Sequence, residues 1–277
     1  MNAKGSGLYV VYSYYLKNYY RSKSFYLIMI LIVLITALMI YLSIHYLPKI
    51  QDILPTTSPI PSSLSEKIML YLWAYVMSDI PVFAAVFFSS PAISSEIENR
   101  TAFHIFTIPI GRSTLLLGKY LAAVSATIIS LLIYIASEAA ITEYLFGNIL
   151  LPQFLISVGM IVIFVSAMSA FTFLISSLFN KNLYSYITTF VLYFVVFSSL
   201  NLILLLLYNY NAFFLLSNSA SIIERIFINI SPGVFNTHVS LVGASTSSIV
   251  QAMAVMVIYT VVSLIISLII FERKEVK

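Results

Sequence analysis

Six apolar runs, each about as long as a membrane-spanning helix, constrain the fold of this chain more than any other feature. A helix needs about 20 apolar residues to cross a bilayer, and hydrophobic residues make up 61% of the sequence against 9% charged ones. A soluble globular domain is roughly 25% charged, so this class is excluded. We predict an all-α polytopic membrane protein that forms a single transmembrane domain over residues 1–277. The predicted spans are 25–47, 68–90, 114–137, 152–176, 184–208 and 249–271.

The distribution of positive charge predicts how these spans are oriented. Lys and Arg concentrate in the cytoplasmic loops of membrane proteins. Of the 14 in this chain, all but Lys49, Lys67 and Arg225 fall on the side that holds the N-terminus. We therefore expect a multi-pass protein of the plasma membrane, in contact with membrane lipids, with both termini in the cytoplasm. The net charge of +4 follows from this bias and requires no nucleic-acid partner.

Two segments outside the spans carry apolar patterns of their own. Residues 8–20 follow the i, i+3, i+4, i+7 spacing beside Arg21 and Lys23, which is typical of a helix lying in the inner membrane interface. A frayed extension of the first span is the alternative. The outer connection 209–248 is apolar but interrupted, among others, by Glu224. It predicts an interfacial or re-entrant element instead of a seventh span.

Asp79 is the one acidic residue near the middle of a predicted span. Placing an acid there costs roughly 2.5–3.5 kcal/mol on insertion scales, so such a residue suggests a functional role. Asp79 could line a translocation path or bind a cationic part of a substrate. Alternatively, its carboxylate caps a helix segment that restarts at Pro81, which lacks a backbone donor. The sequence does not choose between these roles.

Motifs for enzyme chemistry do not occur in the sequence. The stretch from Gly111 to Lys119 has six residues between its glycines where a phosphate loop has four, and Tyr120 stands where Ser or Thr would hold magnesium. The three histidines are far apart and cysteine is absent. We therefore expect no catalytic, cofactor or metal site and no ATPase activity of the chain's own.

The connector over residues 95–112 has the pattern of a short cytoplasmic docking helix. Ala102, Phe103 and Phe106 lie on one helical face, and Pro109 ends the segment because it disfavours helical geometry at the preceding residue. Apolar anchors at this spacing are typical of a helix that inserts into a groove of a partner protein. A solvated loop whose aromatic side chains dip into the membrane interface is the alternative. The charged rim of the docking helix would consist of Glu96, Glu98 and Arg100.

This connector resembles the cytoplasmic loop of ABC type-2 transporter permeases. In that family an acidic pair precedes a Gly-Thr, an apolar helix, a Pro, an Arg and a later Gly-Lys. Arg100 stands where the family usually has Gly. The chain also resembles the family before its first span, at Ser231-Pro232 and in its charged ending. The matching connector positions are Glu96, Glu98, Thr101, Phe103 to Phe106, Pro109, Arg112 and Gly118-Lys119.

The resemblance implies a permease subunit of an ABC exporter, which forms the translocation path and lacks an ATPase of its own. Its implied partners are a separate cytoplasmic nucleotide-binding subunit and a second permease subunit, in a homodimer or a heterodimer. Asp79 would lie on the path. A multispan membrane enzyme or assembly factor without transport activity is the alternative, and it should show convergent polar groups inside the bundle. The implied ATPase-coupling residues are Glu96, Glu98, Arg100, Thr101, Phe103, Phe106, Pro109 and Arg112.

Overall fold

The computed structural model describes residues 3–49, 62–99, 110–147, 150–208, 210, 212–227 and 243–273. The predicted coupling residues Arg100, Thr101, Phe103, Phe106 and Pro109 lie outside these ranges, as does the Ser231-Pro232 pair. The described helices are α1 (Ala3–Arg21), α2 (Lys23–Tyr46, followed by a 3-10 turn), α3 (Ser62–Ser89), α4 (Pro91–Glu98), α5 (Arg112–Phe146), α6 (Leu151–Leu178), α7 (Asn182–Tyr208), α8 (Leu216–Arg225) and α9 (Thr246–Arg273).

Six of the described helical segments are long and apolar enough to cross a membrane, which confirms the all-α polytopic fold. They are α2, α3 together with α4, α5, α6, α7 and α9. The helices α3, α5 and α6 form the core, and α2, α7 and α9 expose most of their apolar surface. Small buried residues such as Ala85, Ala123 and Ala167 line the core helices. Such residues allow close helix packing where lipid gives no hydrophobic drive for association.

Two buried hydrogen bonds connect helices of the core. The indole of Trp73 on α3 donates a 2.9 Å hydrogen bond to the hydroxyl of Ser43 on α2. The hydroxyl of Tyr134 on α5 donates to the Trp73 carbonyl, also at 2.9 Å. An unpaired polar group costs several kcal/mol in hydrocarbon. These bonds therefore fix the relative positions of α2, α3 and α5.

Helix α1 is separate from the first span. The chain turns at Ser22, which has extended backbone angles and caps α2 by accepting a 3.1 Å hydrogen bond from the Phe25 amide. Helix α1 packs along the beginning of α5, where Val11 lies against Gly118. The structure thus shows a distinct helix and not an extension of α2, while its location in the membrane interface stays a prediction.

Helix α8 belongs to the connection 209–248 and is too short to cross a membrane. It packs against α3 and α9 and buries Leu216, Ala220 and Ile223. Beside it, α7 contains a π-helical turn over Val191–Phe197, a feature that frequently marks functional sites in helices. The interfacial or re-entrant character of 209–248 stays a prediction, because residues 228–242 lie outside the described part.

Candidate functional site

A buried ion pair lies at the end of the bundle that is predicted to be cytoplasmic. The side chain of Lys119 on α5 is 1% exposed and pairs with the carboxylate of Glu96 on α4. Its ammonium group also donates a 2.7 Å hydrogen bond to the Ala92 carbonyl and lies 4.9 Å from the centre of the Tyr15 ring. We call Tyr15, Glu96 and Lys119 the Lys119 cluster. It joins α1, α4 and α5.

The surroundings of Lys119 explain how a lysine can be buried there. A charge removed from water is strongly unfavourable unless it is paired and hydrogen-bonded. The Glu96 carboxylate, the Ala92 carbonyl and the Tyr15 ring supply that compensation. The Tyr15 hydroxyl donates a 2.7 Å hydrogen bond to the same carboxylate. Burial, followed by the adjacent carboxylate, raises the pKa of Tyr15, so its hydroxyl stays protonated and remains a donor.

Ser176 of α6 positions α4, and with it Glu96. Helix α4 begins at Pro91 after a turn at Ser90, and its first amides have no partners within the helix. The amides of Ile93 and Ser94 donate to the Ser176 hydroxyl oxygen at 3.3 and 3.1 Å. That hydroxyl in turn donates to the Ser90 carbonyl at 2.6 Å. One serine thus bonds to groups on both sides of the break and fixes the position of α4 against α6.

The two ends of the connector make further bonds to other helices. Near its beginning, Glu98 accepts a 2.9 Å hydrogen bond from the amide of Asn182, the first residue of α7. A carboxylate is favourable at this position because it complements the positive end of the helix dipole. At its end, the Arg112 guanidinium donates a 2.6 Å hydrogen bond to the Glu272 carbonyl in the last turn of α9. Cations are favourable at a helix C-terminus for the same reason.

The structure therefore brings together three of the predicted coupling residues at one end of the bundle. Glu96 contacts α5, Glu98 contacts α7, and Arg112 contacts α9. The sequence places Glu96 on an exposed rim, but its carboxylate faces Lys119 and its side chain is 12% exposed. Segment 100–109, which carries the predicted aromatic anchors, lies outside the described residues.

Asp79 lies away from this end of the bundle. It is half-buried in a groove of about 270 Å³ between α2 and α3. Helix α3 runs unbroken through Pro81 from Ser62 to Ser89, so no helix segment begins at Pro81 for Asp79 to cap. The structure therefore gives no support to the capping role. Asp79 is instead one of the residues that line the groove.

Sequence reasoning missed the role of Lys119 and Tyr15. Lys119 counted toward the charge bias of the inner side and the Gly-Lys position of the family pattern, and Tyr15 only toward the apolar stripe of α1. A usable signal was present, because Lys119 falls inside the predicted span 114–137 and an intramembrane lysine normally has a partner. Its partner could not be found from sequence, since Glu96 lies on a different helix.

Clusters of the kind that a membrane metalloenzyme would need are not found among the described residues. No three His, Asp or Glu side chains there come close enough to hold a metal ion. Many buried hydroxyls, such as those of Thr127, Ser130 and Thr172, donate to the carbonyl four residues earlier in their own helix. These groups hydrogen-bond locally and do not converge on one site.

A family model described as ABC-2 family transporter protein matches residues 10–276, which is nearly the whole chain. No curated protein matches the sequence at a significant level.

Proposed function

We propose a function from one premise: the chain belongs to the ABC-2 family of transporter proteins. It is a membrane permease of an ABC transporter, a transport subunit and not itself an enzyme. Our proposal is that it forms the translocation path of an exporter in the plasma membrane, with both termini in the cytoplasm. A separate nucleotide-binding subunit would drive it by docking on the connector 95–112.

The anchoring of the connector is the observation that carries this proposal. Glu96 on one side of segment 100–109 is fixed to α5 and α1, and Arg112 on the other side is bonded to α9. Glu98 adds a bond to the start of α7. A displacement of the connector by a partner would therefore reach four helices directly. Coupling between distant sites requires such a contiguous network of packed and bonded groups.

The docking proposal is tested by removing the aromatic anchors. Phe103→Ala with Phe106→Ala should release the ATPase subunit on purification or uncouple ATP hydrolysis from transport, because buried aromatic anchors commonly contribute about 2 kcal/mol or more to an interface. The matched control is Phe213→Ala with Phe214→Ala. These two exposed aromatic side chains lie in the predicted outer connection, and their removal should leave copurification and coupling unchanged.

The opposite outcome has a clear meaning. If the complex and its coupled activity survive the Phe103 and Phe106 substitutions, the ATPase subunit docks elsewhere. If no ATPase copurifies with the wild-type chain under conditions that preserve the fold, the alternative of an assembly factor without transport activity is favoured. Export itself predicts ATP-dependent accumulation of substrate inside inverted membrane vesicles.

The second half of α7 supports the proposal of a second permease subunit. Residues 198–208 contain no buried residue, and Leu206, Leu207 and Tyr208 are each more than 70% exposed. This segment also carries the polar residue Asn201, which is partly buried. Side-chain amides in membrane helices commonly bond across to a neighbouring helix. We therefore place the second subunit against this half of α7.

Cysteine cross-linking tests this interface in a chain that has no cysteine of its own. Leu206→Cys should form a disulfide-linked dimer on mild oxidation if two copies of this chain pair. Ile258→Cys, on the exposed face of α9, is the control and should stay monomeric. If Leu206→Cys forms no cross-link in the intact complex, the chain either pairs with a different permease subunit or uses a different interface.

A further inference from the structure

The groove that holds Asp79 is apolar apart from this one carboxylate. It lies between α2 and α3 and is lined by residues such as Ile32, Ile35 and Phe83. A neighbouring cavity of about 310 Å³ shares Tyr75 and Val76 with it and continues toward the predicted outer ends of both helices. The two cavities adjoin at Tyr75 and Val76, and Asp79 is the one charged residue among those that line them.

Asp79 has no bonded partner in the part of the chain that the structure describes. The titratable groups that interact with it electrostatically are Tyr193 on α7 and Glu224 on α8. Neither group is a cation, so the groups that the described fold places around Asp79 supply no counter-charge to it. A carboxylate that has no counter-charge in an apolar groove attracts a cation from outside the chain.

The depth of Asp79 in the predicted span limits which kinds of molecule can bring a positive charge to it. With a rise of about 1.5 Å per residue, Asp79 lies about 15 Å along α3 from Ser89 and about 25 Å from Ser62. The hydrocarbon core of a bilayer is about 30 Å thick. A phospholipid keeps its headgroup at the interface and reaches this depth only with uncharged acyl chains, which cannot satisfy a carboxylate.

We propose that the substrate is a lipophilic cation whose positive centre binds beside Asp79 and whose apolar groups occupy the groove between α2 and α3. The proposal rests on the proposed transport function and adds the substrate class. Tyr75 lies one helical turn from Asp79 on the same groove. Its ring can add a cation–π contact to the charge pairing, and the apolar lining accommodates the remainder of the molecule.

Two probes of the same shape and opposite charge test this. The full-length chain is reconstituted in nanodiscs, and binding of radiolabelled tetraphenylphosphonium and tetraphenylborate is counted above that of empty nanodiscs. We expect saturable binding of the cation and at least tenfold weaker binding of the anion. Asp79→Asn should weaken cation binding at least tenfold. Glu143→Gln removes an exposed acid from α5, outside the groove, and should leave binding unchanged.

Equal binding of the two probes, or unchanged cation binding by Asp79→Asn, would overturn the proposal. If Asp79→Asn does not fold, Ile35→Trp fills the groove without altering charge, and retained cation binding by this variant would also overturn it. The ATPase subunit is assayed in the same preparations. If the ATPase subunit associates but selective cation binding is absent, only the proposed substrate class is refuted. If cation binding is selective but no ATPase subunit associates, the proposed transport function is refuted.

Discussion

Lys119 and Glu96 form an ion pair that is almost completely shielded from water, with the lysine side chain 1% exposed. The pair connects the long helix α5 to the short helix α4 that leads into the connector. Each charge is tolerated because the other is present, since an isolated charge at such a position is strongly unfavourable. The pair therefore holds α4 against α5, and the effect of substituting either residue should depend on whether the other is present.

We expect Lys119→Met to destabilise the protein by about 3 kcal/mol, the lower end of what breaking a buried ion pair costs. Glu96→Gln should also destabilise it, because Lys119 is then left without its counter-ion. The double variant should be more stable than the sum of the two losses predicts. Thermal unfolding of the purified chain, followed by size-exclusion chromatography, measures all three effects.

A matched lysine supplies the control for the ion pair. Lys181 is exposed and its ammonium group lies 5.9 Å from the centre of the Tyr184 ring. Lys181→Met should therefore change the unfolding temperature very little. Strictly additive losses at Lys119 and Glu96 would show that the two side chains do not act as a pair.

Gly118 provides a second prediction, on the packing of α1 against α5. A Cβ atom at this position would lie 2.5 Å from Cγ1 and 2.9 Å from Cβ of Val11, so α1 would have to move. We expect Gly118→Ala to destabilise the protein by about 1–3 kcal/mol, as overpacking commonly does. Thermal unfolding and protease sensitivity of the N-terminal helix report the effect.

Gly159 is the matched control for this substitution. It lies in α6, and among the described residues no neighbouring atom comes within 4 Å of the place that a Cβ would occupy. Gly159→Ala should be neutral or stabilise the protein by up to about 1 kcal/mol, because alanine has the higher helix propensity. Equal effects of the two substitutions would mean that α1 does not pack closely on α5.

The number and type of the spans could be predicted from the sequence because they depend on local properties. Run length and hydropathy along the chain suffice to predict a membrane helix, and α2, α6 and α9 follow directly from such runs. The predicted second span ends at residue 90, close to the end of α3 at Ser89, but the short helix α4 that follows was not predicted. It depends on Ser176, which lies on a different helix and satisfies the amides of α4.

The candidate site could be predicted only in part for the same reason. The acidic pair and Asp79 were found because charges are rare in this chain and each one stands out, and Arg112 was found because it matches the family pattern. Their partners were not, since the contacts of Glu96 with Lys119 and of Arg112 with Glu272 join residues far apart in sequence. Sequence pattern identifies which residues need partners, and tertiary structure decides which partners they have.

Membrane orientation gives a third prediction, from the charge bias of the loops. A cysteine introduced at Lys181, which is exposed between α6 and α7, should react with impermeant maleimides only from the cytoplasmic side. A cysteine at Ser58, in the predicted outer loop, should react only from outside. The wild-type chain contains no cysteine and is the background control. Reversed labelling of the two positions would overturn the orientation.

Glu224 gives a fourth prediction, on the pH dependence of stability. It lies on α8, outside the membrane-spanning helices, and is 7% exposed. Burial, assisted by Asp79 and opposed by Arg225, raises the pKa of its carboxyl group from 4.5 to about 7. The folded state therefore binds a proton more readily than the unfolded state, so the stability linked to this group is present at low pH and is lost as pH rises through about 7.

We accordingly expect the unfolding temperature to fall between pH 5 and pH 8 more steeply in the wild-type chain than in Glu224→Gln, whose side chain cannot ionise. At pH 8 the variant should be the more stable of the two, because it avoids a buried carboxylate. Glu143→Gln removes an exposed carboxylate and should retain the wild-type slope. Parallel pH profiles of wild type and Glu224→Gln would show that Glu224 ionises normally and that α8 does not bury it.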